Sequence, residues 1–146
     1  WLSATPAKQL DKRYKQWLGR AETIYGRLGD AQKDSLRQQL TQSIFDPRTS
    51  YEERLRRQHD ALHTLQQIAQ AQLPEGDARS LVHGYLERAF NSPNIDYRTY
   101  QHSLLLDDCR TVAVLHNSTT SAQRDIAVQR LRGYEQDLAQ LASQPQ

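Results

Sequence analysis

Leu10, Tyr14, Trp17, Ala21, Ile24 and Leu28 step along the chain by 4, 3, 4, 3 and 4 residues. That spacing draws one apolar stripe on an α-helix, and no strand can present it on one face. The pattern recurs. Leu36, Leu40 and Ile44 follow it, then Tyr51, Leu55, Leu62, Leu65 and Ala69, then Leu81, Val82, Tyr85, Leu86 and Ala89. A fifth segment carries Tyr97, Tyr100, Leu104, Thr111 and Leu115, with Leu105, Cys109 and Val112 beside them, and the last carries Ala127, Leu131, Tyr134, Leu138 and Leu141. No stretch alternates with period two over the length of a strand. The fold class expected is all-α.

Clusters of Gly, Pro, Asn and Ser punctuate these runs: "GD" at 29–30, "DPRTS" at 46–50, "LPEGD" at 73–77, "NSPN" at 91–94 and "HNSTTS" at 116–121. Such clusters end helices and start turns. The spacing predicts six helices near 6–28, 30–45, 49–72, 77–90, 95–116 and 120–143. Short connections imply antiparallel neighbours in an elongated helical-hairpin bundle forming a single domain over 1–146. Gly84 and Gly133 fall inside helices, where each costs about 1 kcal/mol relative to Ala; close helix approach is the expected reason.

Composition narrows the function classes. Net charge is +2 over 146 residues, so no global field advertises nucleic acid or a membrane surface. The charge is uneven: residues 1–73 hold 12 Lys/Arg against 8 Asp/Glu, and residues 74–146 hold 7 against 9. A single cysteine, Cys109, excludes an intrachain disulfide and a cysteine-based zinc site. With Leu105 and Val112 nearby, Cys109 reads as a small core residue, and its neighbours Asp107 and Asp108 argue against a reactive thiolate. The chain starts at Trp1 and lacks methionine, so a processed or excised part of a longer protein is expected.

No catalytic constellation emerges. There is no Ser–His–Asp order, phosphate-cradling glycine loop or nucleotide fingerprint, so no enzyme and no cofactor are expected. His59 and His63, at i, i+4, could share a metal, but no third ligand is marked and exposed imidazoles are the simpler state. In "YEERLRRQHD", Glu52–Arg56 and Glu53–Arg57 are i, i+4 pairs suited to a solvated helix face. Seven tyrosines against two phenylalanines favour amphipathic rings, which suit binding surfaces. Tyr97 and Tyr100, just after "NSPN", together with Arg56 and Arg57, are the candidate partner-binding residues.

"LGDAQK" at 28–33 and "TTSAQR" at 119–124 open two helices with nearly the same letters. Thr120 with Gln123 is a capping box; in the earlier copy Gly29 stands in the threonine position, Gln32 repeats the glutamine and Asp30 is available to cap. The wording resembles the repeated "LTxxQ" of the Spy/CpxP-type periplasmic proteins, small helical stress proteins that bind unfolded clients without ATP. Here Gly29 replaces the first threonine and Thr119 the second leucine. Over a longer span, "DKRYKQWLGRAETIYGRLGDAQKDSLRQQL", "FDPRTSYEERLRRQHDALHTLQQI" and "LHNSTTSAQRDIAVQRLRGYEQDLAQLA" resemble the C-terminal half of a family of proteobacterial lipoproteins catalogued as a domain of unknown function. That resemblance implies a periplasm-facing cell-envelope protein, anchored at the outer membrane only through an N-terminal lipid on a cysteine that this chain does not contain. It supplies no catalytic residue. The expected partner is a protein or peptide rather than nucleic acid, with the alternatives of a Spy-like chaperone or a stress or metal sensor; oligomeric state is left open.

Overall fold

A computed structural model describes residues 4–143. The fold is all-α. Six helices follow in order: α1 (Pro6–Tyr25), α2 (Asp30–Gln42), α3 (Pro47–Ala71), α4 (Glu75–Phe90), α5 (Ile95–Asn117) and α6 (Ser121–Ala142). Local chemistry sets their ends. Thr5 caps α1 and accepts from the Lys8 N–H at 3.4 Å, with Pro6 at the first helical position, where a missing N–H costs nothing. Gly26 ends α1 at φ 74°, three residues earlier than the apolar stripe suggests, because only glycine adopts that backbone cheaply. A Cβ there would also lie 3.2 Å from Cδ1 of Ile126. Asp46 caps α3 through the N–H groups of Arg48 (2.9 Å) and Thr49 (3.3 Å), so this helix starts at Pro47.

The helices pack as two compact units. The mid-chain unit is Ile44–Leu106, comprising α3, α4 and the first half of α5. The terminal unit is 4–43 with 107–143, comprising α1, α2, the second half of α5 and α6.

The terminal unit has an apolar centre. Ala21, Leu28 and Leu115 form its core, with Leu18 and Tyr25 packed against them, and Leu36, Leu40 and Ala127 are buried as well. Arg13, 8% exposed, reaches Asp108 at 3.1 Å. The two hexamers meet here. Gln32 Oε1 accepts from the Gly29 N–H (2.9 Å), and Gln123 Oε1 accepts from the Thr120 N–H (3.0 Å). Each amide nitrogen then crosses over: Gln32 donates to the Ser118 carbonyl (2.9 Å) and Gln123 to the Arg27 carbonyl (2.9 Å). Ser118 and Arg27 both stand two residues before the cap of the opposite helix. The amides also bond each other, at 2.9 and 3.1 Å. Two helix starts are thus locked together by one reciprocal pair, which is why the letters repeat. The Thr120 box is complete, since its hydroxyl accepts from the Gln123 N–H at 3.2 Å. Asp30 does not cap α2. Its side chain points into solvent, with Lys33 at 3.9 Å, and Gly29 occupies the cap position.

Two further expectations fail on packing. Cys109 is exposed, as are Leu105 and Val112, because α5 buries Thr111 and Leu115 on the next face. Neither interior glycine serves close helix approach: a Cβ on Gly133 would meet nothing within 4 Å, and one on Gly84 only the end of Arg88, four residues along the same helix.

Candidate functional site

In the mid-chain unit the fully packed positions are polar. Glu53 is 4% exposed, Thr64 3% and Ser92 0%. Glu53 is the hub. Its carboxylate accepts from Arg56 Nε and Nη2 (both 2.9 Å), from Arg57 Nε (3.0 Å) and from the Ser92 hydroxyl (3.1 Å). Burial opposes its charge, but the hydrogen bonds from Arg56, Arg57 and Ser92 together win and hold its carboxyl below the usual range. Arg56 Nη2 also donates to the Arg88 carbonyl at 2.9 Å, and Arg88 grips Asp60 at 2.8 Å, tying α3 to α4. The Arg88 hydrogen bond, reinforced by the charges of Arg88 and Arg56, lowers the Asp60 pKa.

This arrangement reverses the expected orientation of α3. Glu53, Asp60 and Thr64 fall on one side of the helix. Tyr51, Leu55, Leu62 and Leu65 lie about 120–180° round from Glu53 at about 100° per residue. Leu62 and Leu65 are 57% and 59% exposed. Most of the apolar stripe faces out, with Leu55 half-buried, and the polar stripe faces in. The expected Glu52–Arg56 pair is not formed either; Arg56 turns to Glu53 and Asp60.

An open cleft of about 430 Å³ lies beside this network, lined by Thr49, Glu52, Glu53, Arg56, Asn94, Asp96, Tyr97 and Tyr100. Asn94 begins α5 by accepting from the N–H groups of Asp96 (3.0 Å) and Tyr97 (3.1 Å), which sets the two tyrosines on one side of its first turns. Their ring centroids are 6.1 Å apart. The Tyr100 hydroxyl accepts from the Asp46 N–H at 2.8 Å, so this ring also anchors the start of α3. The Arg57 guanidinium lies 5.8 Å from the Tyr97 ring centroid, in the range of a cation–π contact. The four residues singled out in the sequence therefore do come together.

The sequence misplaces the charge of this site. Arg56 and Arg57 are held by Glu53, and the cleft wall carries Glu52, Glu53 and Asp96 against Arg56 alone. The excess of basic residues over 1–73 therefore does not appear as free positive charge at this cleft. Glu53, Ser92 and Asn94 carry no sequence signal that marks them as functional residues. Glu53 looks like half of an ordinary surface pair, and only the presence of three arginines around it (Arg54, Arg56, Arg57) hints at more.

His59 and His63 are both exposed on α3. Among the described residues no group of three or more His, Cys, Asp or Glu side chains is placed to hold a metal ion. No described helix is long and apolar enough to cross a membrane. Compared with known proteins, the chain matches no family model, no curated protein and no solved structure.

Proposed function

We propose that this chain is a non-enzymatic helical domain of the cell envelope that binds a protein or peptide partner. The reversed orientation of α3 carries the reading. Seventeen large hydrophobic residues are exposed among the described residues, while six hydrophobic residues are buried. Isolated exposed apolar side chains are ordinary, but a helix that turns most of its apolar stripe outward, Tyr51, Leu62 and Leu65 with only Leu55 half-buried, leaves a surface fitted for association. The adjoining cleft offers what a bound segment needs for orientation: two tyrosine faces for apolar or cationic groups, and carboxylates of Glu52 and Asp96 at its wall. The envelope location is supported by the lipoprotein resemblance, which covers most of residues 11–143.

A general, ATP-independent chaperone is the second reading, favoured by the spread of exposed apolar residues over both units. One experiment serves both. Purified protein is added to an aggregating unfolded model protein, and its binding to basic and acidic tyrosine-free peptides is measured by fluorescence anisotropy. Selective, salt-sensitive binding of the basic peptides, weakened by Tyr97→Ala and by Leu62→Ser with Leu65→Ser, supports a dedicated binder. Broad suppression of aggregation supports the chaperone. Neither activity at several-fold molar excess would overturn the partner-binding reading. Tyr97 is the residue to vary, because Tyr100 also holds Asp46.

A further inference from the structure

The last helix carries a second unpartnered seam, independent of the cleft. Ala127, Leu131, Tyr134, Leu138 and Leu141 step by 4, 3, 4 and 3, the spacing of a two-helix coiled-coil seam. Ala127 is buried inside the terminal unit, but Leu131, Tyr134, Leu138 and Leu141 are 56%, 46%, 66% and 62% exposed. Among the described residues, nothing packs over these four apolar side chains of one stripe to bring them below that exposure.

We infer that this free half of α6 pairs, in parallel, with α6 of a second copy of the chain. The flanking charges choose both the occupant and its direction. Arg130 immediately precedes Leu131, Asp137 immediately precedes Leu138, and Glu135 immediately follows Tyr134. In a parallel in-register pair, the residue before one seam position faces the residue five further on in the other helix. Arg130 then faces the partner's Glu135, and the twofold repeats the attraction on the other side.

An antiparallel pair burying the same four residues sets Leu131 against the partner's Leu141 and Tyr134 against the partner's Leu138. Like positions then face each other, so Glu135 meets the partner's Glu135 and Asp137 meets the partner's Asp137. Both contacts are repulsive. The antiparallel register that would bring Arg130 to the partner's Asp137 needs Ala127 in the shared seam, and Ala127 is already buried. Arg130 Nη1 donates to the Glu22 carbonyl at 3.2 Å, which leaves the rest of the guanidinium fork for a carboxylate.

About two heptads are free, so the pair forms and dissociates with concentration rather than permanently. Sedimentation equilibrium of the full chain from micromolar to several hundred micromolar tests this. A monomer–dimer equilibrium is expected, abolished by Leu138→Glu with the circular dichroism unchanged, because Leu138 is exposed in the single copy. Glu135→Arg, which sets arginine against arginine, should raise the dissociation constant about tenfold. The exchange of both charges, Arg130→Glu with Glu135→Arg, should restore it, because only the parallel pair makes these two residues mutual partners. A chain that stays monomeric throughout, a dimer indifferent to Leu138→Glu, or a double exchange that fails to rescue would each overturn the inference.

Discussion

Among the described residues, the buried side chains of the terminal unit are six hydrophobic ones, Ala21, Leu28, Leu36, Leu40, Leu115 and Ala127, beside four polar ones, Arg13, Gln32, Thr111 and Thr119. Those described in the mid-chain unit are all polar: Glu53, Thr64 and Ser92. One chain thus uses two ways of holding helices together. The first rests on area removed from water, which is non-directional and tolerant of detail. The second rests on a charged hydrogen-bond network, in which every partner must be present, because a buried charge that loses its partners is far more costly than the pair was favourable. A polar interior also leaves most of the apolar stripe of α3 on the outside.

The contrast is sharpest at Glu53. Glu53→Ala strips Arg56, Arg57 and Ser92 of their shared acceptor at once. It should destabilise the mid-chain unit by about 3 kcal/mol, the lower end for breaking a buried pair, since both arginines are partly exposed. Hydrogen exchange resolved by segment should show α3 and α4 opening while α2 and α6 keep their protection. Leu62→Ala is the control: an apolar residue on the same helix whose loss should cost within about 0.5 kcal/mol. A larger effect at Leu62 than at Glu53 would erase the distinction between the units.

In the terminal unit the amide pair of Gln32 and Gln123 is the one polar device of comparable density. Gln123→Ala removes bonds to Thr120, Arg27 and Gln32, and should cost about 2 kcal/mol. Thr120→Ala removes one cap bond and should cost about 1 kcal/mol. Chemical denaturation checks both; equal costs would mean that the cross-helix bonds add nothing to the capping box.

Six helices were legible because their punctuation is local: the capping box of Thr120 with Gln123 acts within a turn of itself, as do the caps Thr5 before Pro6 and Asp46 before Pro47, the last of which starts α3 two residues ahead of the expected 49. The faces were legible only where burial is apolar. On α1 the stripe through Ala21 does meet the core, whereas on α3 it points away from α4. Nothing local distinguishes Glu53 as a hub from Glu52 as a surface acid; Ser92 and Arg88, which make the difference, lie on or just beyond the next helix. The same holds for Cys109, whose apolar neighbours Leu105 and Val112 share its exposure rather than burying it. Tyr97 and Tyr100 are legible as a pair because they sit one turn apart after a turn signal, whereas the sign of the charge around them depends on who holds Arg56 and Arg57.

Acid separates the two units most directly. In the mid-chain unit Glu53, Asp46 and Asp60 titrate below their ordinary values: Glu53 against its burial, Asp46 first through the Thr49 hydroxyl and Asp60 first through Arg88. A lowered carboxylate gives stability that is present above its unfolded value, about 4, and is lost as pH falls through the lowered one. Asp108 in the terminal unit goes the other way. Burial raises it, helped by Asp107 and opposed by Arg13, so its contribution is fully present below about 4 and fades as pH rises through the raised value. Asp11 is lowered by Lys15, but at the surface, where such pairs count for little. The deciding measurement is amide protection followed segment by segment from pH 7 down to about pH 2. Protection of α3 and α4 should be lost on falling through the region below about pH 4 while α1, α2 and α6 remain protected. Loss of α2 and α6 first, or of both units in a single step at one pH, would contradict a mid-chain unit held by its carboxylates and a terminal unit held by its apolar core.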